Sequence, residues 1–586
     1  MSSEAPPAVA TCMACSKVDA GPRRFVHNPT MPWVVVLSCL LQLSFLPRAL
    51  AESEDASDDS VEEYVVDPDV PSGKELEEMG ARIGRIFLDK QNVFDTSRED
   101  EDRFLYRIAN RWHVLTRDSV LRQQLLFREG DPYSERLVAE SARILRRNDY
   151  LYTAVVEPLR YDNGTVDIVV RTRDLWTLIP GISISRSGGQ NKSRVSLSES
   201  NLLGRGTRVR LSYMEDVDRQ STNFELSDEH LGASWLSFYL GLSDSSDGST
   251  ARLRAEKPFY ALDTRRSWGL ELLDDLREDR LYDIGEEIAE YRHESDFYTA
   301  FGGWSAGLTN GWVRRWTAGI VYDNQRFSEV PDLDPDLLSV VPESRRLVYP
   351  FVGLQILEDR FTTTSNRDQI GRTEDFNLGT QLRARLGYAS EGLGSDRNSI
   401  IYSVDASRGY GDINRKALIL SADASGRIDD GSSANSTVGV GARYYNQITS
   451  KRLFFMTLDA QRGHNLDLDN PLEIGGDIGL RGYPLRYQSG DASVLFTIEQ
   501  RYFTDWYPFR LARVGGAVFA DVGRTWGENP VEGSSLGWLR DIGFGLRLGP
   551  TRGGAGDVVH LDIAFPLDGD PSIDKVQILL ESKGSF

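Results

Sequence analysis

The dominant pattern in the sequence is an alternation of apolar and polar residues that recurs over residues 180–586. Clear examples cover residues 207–213, 236–242 and 542–548. Side chains of a strand point alternately to its two faces, so this pattern predicts strands with one apolar and one polar face. In lipid every backbone group must be paired and no sheet edge can stay open. The predicted fold class is therefore mainly β, with a transmembrane antiparallel β-barrel over residues 177–586.

The length of this region sets the expected size of the barrel. At roughly ten residues per strand plus turns and longer outer loops, it accommodates about sixteen strands, and fourteen or eighteen would also fit. A soluble β-sandwich would show the same alternation. It would need a further layer over so many apolar faces, however, and its strands would be shorter. We therefore favour the barrel.

A mixed α and β pattern covers residues 79–176. It predicts a first strand, a short helix capped by Asp118, and a second helix whose apolar stripe begins at Leu137. Asn163-Gly164 then lies between two segments of strand character and predicts a β-hairpin, because both turn residues must adopt positive φ. The order strand, helix, helix, strand, strand predicts one small α/β domain ahead of the barrel.

The first 51 residues have the features of a leader. An apolar run over residues 33–46 follows basic residues and precedes an Ala-x-Ala sequence at residues 49–51, which predicts a cleaved secretory signal peptide. The translation start stays open, because internal methionines could also begin the chain. Residues 52–78 are rich in acids and predict a linker that is disordered in part.

Residues 474–484 contain an arginine in an unusual setting. Arg481 lies among glycines, Tyr483 and Pro484, with no His, Cys or paired carboxylate nearby. This composition predicts an anchoring device and not a catalyst. Two predicted strands follow, and each carries one isolated acid, Glu499 or Asp521, on the face opposite most of its apolar residues. We expect the arginine to reach back to such an acid.

Two motifs here carry a family resemblance. Leu480-Arg481-Gly482-Tyr483 resembles the (Val/Ile)-Arg-Gly-(Phe/Tyr) motif of the loop that folds into the lumen in the BamA/TamA outer-membrane insertase superfamily, to which two-partner secretion transporters are related. Phe519-Ala520-Asp521-Val522-Gly523 is similar to the Phe-x-Asp-x-Gly motif on the strand that receives that arginine. The resemblance implies a contact of Arg481 with Asp521, with Glu499 as a second acid nearby. It also implies a sixteen-stranded barrel in the bacterial outer membrane, preceded by one or more POTRA domains.

Residues 79–176 resemble a POTRA domain in the order of their elements. The segment Leu126-Phe127-Arg128-Glu129-Gly130-Asp131 is similar to the turn before the second helix of that domain. The resemblance implies a periplasmic domain that binds extended polypeptides by adding a strand to an open sheet edge. A periplasmic plug or spacer without a client is the alternative. Only one such domain is predicted, whereas BamA-like and TamA-like members carry several.

Composition limits which partners and which kinds of chemistry the sequence predicts. The formal net charge of -21 argues against nucleic acid as a partner. The three cysteines all precede residue 52, and the histidines lack metal-ligand spacing, so no metal or other cofactor is predicted. The segment Gly303-Trp304-Ser305-Ala306-Gly307 fits a serine-hydrolase pattern, but its surroundings are strand-like on both sides. No enzyme activity is predicted.

The sequence therefore predicts an outer-membrane barrel protein that inserts or translocates polypeptides. The expected partners are unfolded or extended outer-membrane or secreted clients, captured by the POTRA-like domain, together with outer-membrane lipids. A dedicated two-partner secretion pore, a lipid conduit and a porin without protein clients are the alternatives. A patatin-type lipase would need a hydrolase domain for which the chain has no room.

Overall fold

The computed structural model describes residues 64–583 except 233, 332, 528–535 and 554–557. These residues form a small N-terminal α/β domain followed by a large closed β-barrel, so the predicted fold class is confirmed. The predicted leader and signal peptide lie outside the described residues, as does the first part of the predicted acidic linker.

The N-terminal domain is built on a three-stranded sheet. The strand order is β1-β3-β2, with β1 parallel and β2 antiparallel to the central strand β3. Its elements are α1 (Gly73–Glu78), β1 (Arg82–Gln91), α2 (Phe104–Trp112), α3 (Asp118–Arg122), α4 (Glu135–Arg146), β2 (Leu151–Asp162) and β3 (Thr165–Asp174).

Local sequence explains these elements. The turn between β2 and β3 has positive φ at Asn163 (47°) and Gly164 (83°), as a tight hairpin requires. The apolar stripe of α4 is buried at Val138 and Leu145 and packs into one core with all three strands. Removing this stripe from water is the main stabilising contribution that a small domain of this kind can make.

Two helices of this domain were not predicted from the sequence. Helix α1 falls within the predicted linker, begins at a capping box formed by Ser72 and Glu75, and buries Leu76 completely. Helix α2 is inserted between β1 and the first predicted helix, α3. Residues 92–112 thus form an additional segment of this domain.

In the described residues the barrel closes through twenty antiparallel strands, so the prediction of sixteen strands is wrong. They are β4 (Leu178–Ser187), β5 (Gln190–Glu199), β6 (Arg208–Glu215), β7 (Gln220–Asp228), β8 (Ser237–Ser245), β9 (Gly248–Lys257), β10 (Arg266–Asp283), β11 (Glu286–Thr309), β12 (Trp312–Ser328), β13 (Arg345–Glu358), β16 (Gln381–Ala389), β17 (Ser399–Asp412), β18 (Lys416–Asp429), β19 (Ser432–Thr449), β20 (Arg452–His464), β23 (Ala492–Phe503), β24 (Ala512–Trp526), β25 (Leu539–Pro550), β26 (Val558–Pro566) and β27 (Gln577–Lys583).

The extra strands fit because several of the turns are shorter than expected. Tight turns at Gly188-Gly189, Asn310-Gly311 and Asp430-Gly431 have positive φ at both central residues. Such turns match the twist of antiparallel strands and use only two residues. The six strands β4 to β9 have 8 to 10 residues each, close to the expected length.

The barrel closes at a seam between its first strand, β4, and its last strand, β27. Among the described residues a single pair, Leu580 opposite Arg186, forms the ladder at this seam. The flanking ladders, β4 with β5 and β26 with β27, run along the whole length of the shorter strand. In the part of the chain that the structure describes, the seam is therefore the junction of the wall with the fewest paired residues.

We call the end of the barrel next to the N-terminal domain the lower end and the opposite end the upper end. At the lower end, the connection between β13 and β16 forms a hairpin of β14 (Phe361–Ser365) and β15 (Thr373–Asn377), the lower hairpin. At the upper end, residues 465–491 between β20 and β23 form a long loop, the upper loop. It contains the short pair β21 (Leu472–Ile474) and β22 (Gln488–Gly490).

The outer wall of the barrel is largely apolar. Large apolar side chains such as Trp316, Val440 and Phe544 are exposed there, while Arg345 and Arg547 are completely buried. An apolar exterior with a polar interior is typical of a barrel in lipid. None of the described helices is both long and apolar enough to cross a membrane.

Candidate functional site in the barrel lumen

The upper loop brings Arg481 into contact with acids from two neighbouring strands. The guanidinium donates to both carboxylate oxygens of Asp521 on β24, at 2.8 and 2.9 Å, and to Glu499 Oε1 on β23 at 2.6 Å. It also stacks on Phe519, with 3.4 Å between its central carbon and the ring centroid. All four side chains are buried. This arrangement uses the planar fork of arginine, which a lysine could not reproduce.

The wall extends this ion pair into a network. Thr497 donates to Asp521 Oδ1 at 2.7 Å, and Arg501 donates to Glu499 Oε2 at 2.8 Å. Asp562 lies 3.9 Å from Arg481 and pairs with the buried Arg547. Arg481, Arg501 and Arg547 therefore each face an acid of the wall, so that their buried charges are compensated.

The remaining motif residues hold the loop close to the wall. Leu480 packs against Gly523, where an added Cβ would lie 3.3 Å from the leucine methyl groups. Gly482 donates its backbone N–H to Asp541 at 3.0 Å, and the Tyr483 hydroxyl donates to the carbonyl of Arg540 at 2.7 Å. The glycines thus permit a close approach of loop and wall. The structure places all seven motif residues and Glu499 in one contact region.

Sequence reasoning missed several members of this region. Asp541, Asp562, Arg501 and Arg547 complete the network, yet each looks like an ordinary polar position of an alternating strand. Their signal is the same period-two pattern that predicts the barrel, and this pattern does not show which strands are neighbours of the loop.

Other ion pairs fasten the upper loop to distant parts of the wall. Arg486 forms two hydrogen bonds with Asp218, at 2.7 and 3.0 Å, beyond β6. The wall arginine Arg427 on β18 donates to both carboxylate oxygens of Asp467, at 2.7 and 2.8 Å. The wall arginine Arg345 on β13 also pairs with Asp467, at 3.1 Å. The loop is therefore tied to strands around most of the barrel and extends across its upper end.

The upper loop also touches the seam. Ser187 at the end of β4 donates its hydroxyl to the carbonyl of Gly476 at 2.8 Å. An added Cβ at Gly188 would lie 2.2 Å from the backbone nitrogen of Leu485. The segment that carries Arg481 thus connects β23 and β24 to the first strand of the barrel.

The lower hairpin packs inside the lower end. Ile370 and Phe376 lie in an apolar cluster with lumen-facing residues of the wall, among them Tyr445, Phe455 and Phe503. The hairpin also reaches the Arg481 network, because Arg501 donates to the carbonyl of Arg367 at 2.7 Å. A cavity of about 260 Å³ lies between the hairpin and the upper loop, with Asp368 and Gly479 among its lining residues.

One acid of the lower hairpin is strongly affected by its surroundings. Glu374 accepts backbone hydrogen bonds from residues Arg367, Asp368 and Gln369, at 2.9, 2.8 and 3.2 Å. Burial of its carboxyl group, assisted by the charge of Asp368, nevertheless raises the pKa of Glu374 to about 7. This side chain therefore changes its charge near neutral pH.

The N-terminal domain is tied to the lower hairpin. Arg146 of α4 donates to both carboxylate oxygens of Asp375, at 2.8 and 2.6 Å. Arg372 of the hairpin donates to the carbonyl of Leu151 at 3.1 Å, and Arg143 stacks on Phe361 at 3.7 Å. A shift of the domain would therefore pull on the hairpin.

The geometry of the site favours a mechanical role, in which ion pairs connect the upper loop, the lower hairpin and the wall, over a catalytic role. The possible nucleophile in the serine-hydrolase-like segment, Ser305, lies within β11 and donates to the carbonyl of Arg314, so no strand-to-helix elbow surrounds it. Among the described residues, no group of three or more His, Cys, Asp or Glu side chains could hold a metal ion. The ion pairs described above position backbone segments.

Domain order and geometry together define a class of protein. Residues 113–173 match the POTRA family described as "Surface antigen variable number repeat". This domain precedes a closed β-barrel with an arginine-bearing loop in its lumen. The predicted POTRA-like domain is thereby confirmed, and the predicted resemblance to the BamA/TamA superfamily is supported: the chain carries a POTRA domain ahead of a closed β-barrel.

Solved structures of similar shape include two kinds of protein. "The crystal structure of BamA from Haemophilus ducreyi lacking POTRA domains 1-3" is 12% identical, with 84% of each chain covered and a TM-score of 0.34. CdiB from Acinetobacter baumannii is 13% identical, covering 86% of this chain and 74% of that chain, with a TM-score of 0.42. For CdiB from Escherichia coli the identity is 14%, the coverage 85% and 75%, and the TM-score 0.44. No curated protein matches the chain.

Proposed function

We propose that this protein inserts polypeptides into the outer membrane and that clients leave the barrel sideways, through the seam between β4 and β27. The observation that carries the proposal is that, within the described ranges, a single residue pair joins these two strands. A backbone hydrogen bond contributes about 0.5–1.5 kcal/mol net. Opening the seam therefore breaks fewer of these bonds than opening any complete ladder of the wall.

The covered ends of the barrel favour insertion over secretion. Straight passage through the lumen would require displacement of the upper loop, held by Arg481 and Arg486, and of the lower hairpin, held by Arg146. A lateral path requires only that β4 and β27 separate. A two-partner secretion pore is the second candidate, because movement of the N-terminal domain could withdraw the hairpin to which it is tied.

The POTRA domain would receive the client on the periplasmic side. Strand β1 is an edge of its sheet. The first half of this edge is covered, since Ile83 pairs with residues 130–131 and the Ile86 N–H donates to Glu129. In the part of the chain that the structure describes, no strand covers the outer edge at Leu88 and Lys90. An extended client can add a strand there with little dependence on sequence.

No covalent step enters the proposal, and we propose no enzyme activity. The charged network around Arg481 would act by positioning the upper loop against β4. Its role would be to hold the seam closed at rest and to define how far β4 can move.

A disulfide across the seam tests the lateral path. Directly opposite residues of an antiparallel pair are about 4.5–5.5 Å apart at Cα, within reach of a disulfide. We would introduce Arg186→Cys and Leu580→Cys after replacing Cys12, Cys15 and Cys39 by serine. The purified protein in vesicles would then receive a small urea-denatured outer-membrane barrel as client. The oxidised variant should stop the client from gaining heat-modifiable gel mobility, and a reductant should restore it.

The matched control places the disulfide within the wall. Ser196 on β5 and Ser212 on β6 are directly opposite each other in a complete ladder. Oxidised Ser196→Cys/Ser212→Cys should assemble the client as well as the reduced protein does. Full assembly by the oxidised seam variant would contradict lateral insertion.

A further inference from the structure

Helix α2 presents an apolar face that no described residue covers. Phe104, Leu105 and Trp112 are 69%, 70% and 76% exposed, and Ile108 beside them is exposed as well. At 100° per residue these four side chains lie within one 100° sector of the helix. Soluble domains rarely leave so many large apolar side chains together in water, which indicates an interaction site.

The rest of the helix is divided between a docked face and a basic face. Tyr106 is buried and stacks on Phe94, with 4.1 Å between ring centroids, and Asn110 donates to the Phe94 carbonyl. Arg107 and Arg111 lie between this docked face and the apolar face, and Arg107 pairs with the neighbouring Asp102 at 2.5 Å. A basic sector beside an apolar sector is typical of a helix that lies in the plane of a membrane surface.

The docked face fixes the helix to the lower rim of the barrel. The Tyr106 hydroxyl donates to the carbonyl of Phe509 at 2.5 Å, in the turn between β23 and β24. Arg552, in the next lower turn, donates to Glu101 and to the carbonyl of Val93, both at 2.5 Å. Helix α2 is thus held to the ends of strands whose outer faces are apolar.

The turn that receives Tyr106 has exposed apolar side chains of its own. Trp506, Phe509 and Leu511 all point into solvent. Phe509 has a φ of 52° and Arg510 a φ of 55°, a left-handed conformation that is rare for bulky residues. The exposed face of α2 therefore continues an aromatic rim at the lower end of the wall, where aromatic side chains of membrane barrels meet the lipid headgroups.

We propose that α2 and the turn 504–511 form a lipid-binding foot, which lies in the headgroup region of the leaflet at the lower end of the barrel. Helix α2 lies outside residues 113–173, which match the POTRA family, and it is inserted between β1 and α3. The occupant of the foot is the bilayer surface, because the face is continuous with the apolar belt of the wall and is flanked by arginines. The foot would fix the orientation of the POTRA domain at the lower end of the barrel. This inference depends on the barrel being embedded in a membrane.

Fluorescence quenching in vesicles tests the foot. We would label Leu105→Cys with an environment-sensitive fluorophore, in the full chain with Cys12, Cys15 and Cys39 replaced by serine. The protein would be reconstituted into phosphatidylethanolamine and phosphatidylglycerol vesicles that contain a lipid with a nitroxide near its headgroup. We expect a blue shift, strong quenching by the nitroxide lipid and protection from aqueous iodide.

Two control labels separate this inference from the membrane location itself. A label at Val440→Cys, on the outer wall, should be quenched by the nitroxide lipid, and one at Lys74→Cys, on α1, should be quenched by iodide alone. With both controls as expected, quenching of the Leu105 label by iodide alone overturns the foot. Protection from both quenchers also overturns it, since protein would then cover the helix. If the Val440 label is not quenched by the lipid, the barrel is not embedded and both proposals fail.

Discussion

At the scale of single residues, the structure explains why an arginine occupies position 481. Its guanidinium meets two oxygens of Asp521 and one of Glu499 while its flat face covers Phe519. A lysine would keep the charge but could satisfy neither the paired geometry nor the stacking contact. The chemistry of the anchor therefore depends on shape as well as on charge.

Arg481→Ala should weaken the barrel and its activity. Removing one partner of a buried, hydrogen-bonded ion pair typically costs about 3–5 kcal/mol, because the other charge stays buried without compensation. We expect earlier loss of heat-modifiable gel mobility on warming and slower assembly of a client in vesicles. Arg481→Lys should recover part of the stability and less of the activity.

Arg486→Ala is the matched control for that experiment. Arg486 also ties the upper loop to an acid, Asp218, but its side chain is partly exposed, so the expected loss of stability is smaller. Unchanged gel mobility and unchanged client assembly in Arg481→Ala would show that the anchor has no role in either property.

The candidate site could be predicted from the sequence only in part. Arg481, Asp521 and Glu499 stand out because each is an isolated charge in a segment of glycine, aromatic or apolar residues. Asp541 and Arg547 could not be identified, because lumen-facing strands contain many charges and the sequence does not say which strand lies beside the loop. Contacts between segments that are far apart in sequence decide which of these charges are paired.

At the scale of elements, the lower hairpin is the least expected feature. Its sequence between β13 and β16 has two short strands and many polar residues, which a single sequence cannot distinguish from an outer loop. Its position inside the barrel depends on Ile370 and Phe376 finding apolar partners on distant strands. Docking of the hairpin is therefore a separate equilibrium that conditions can shift.

The docking of this hairpin should weaken as the pH rises toward neutrality. Burial raises the pKa of Glu374 from 4.5 to about 7, so the docked hairpin holds a proton that the undocked hairpin releases. Stability of docking is then lost between pH 4.5 and about 7, and it becomes constant above that range. We expect the ion conductance of the protein in planar bilayers to increase over the same interval.

Glu374→Gln provides the control for this pH dependence. Glutamine stays neutral, and its single carbonyl oxygen can still accept the two backbone hydrogen bonds from Asp368 and Gln369 that Oε2 receives. The conductance of this variant should stay at the low-pH level throughout the interval. If the variant keeps the pH response of the natural protein, Glu374 is not the group that titrates.

At the scale of the whole molecule, the sequence predicted the order of domains better than their details. Period-two alternation and the Asn163-Gly164 turn arise from local chemistry, so barrel and POTRA domain could both be recognised. The number of strands depends on how tightly each turn closes, which a typical strand length cannot supply. Helix α2 was missed because its apolar face points to solvent, and it therefore does not resemble a core helix.

If a client binds at the open POTRA edge before it leaves through the seam, weaker binding at this edge should slow its insertion. Leu88→Pro removes an outward-pointing N–H from β1 without removing a bond to β3, and each lost hydrogen bond to a client contributes about 0.5–1.5 kcal/mol. We expect weaker binding of a urea-denatured client, measured by fluorescence anisotropy with the full chain, and proportionally slower insertion.

Leu88→Ala shortens the same side chain but keeps the N–H, so it should bind the client nearly as well as the natural protein. Equal losses in the two variants would assign the effect to packing of Leu88 and not to strand addition. A binding defect that leaves insertion unchanged would show that clients do not pass from the POTRA edge to the seam.

Twenty strands enclose more space than the porins, whose 16–18 strands already leave an aqueous channel. The lower hairpin and the upper loop therefore matter to the cell even when no client is present. Without them, this cylinder would admit bile salts, dyes and bulky antibiotics that an intact envelope keeps out. We therefore expect a bacterium that makes this protein to become more permeable when either the lower hairpin or the upper loop is removed.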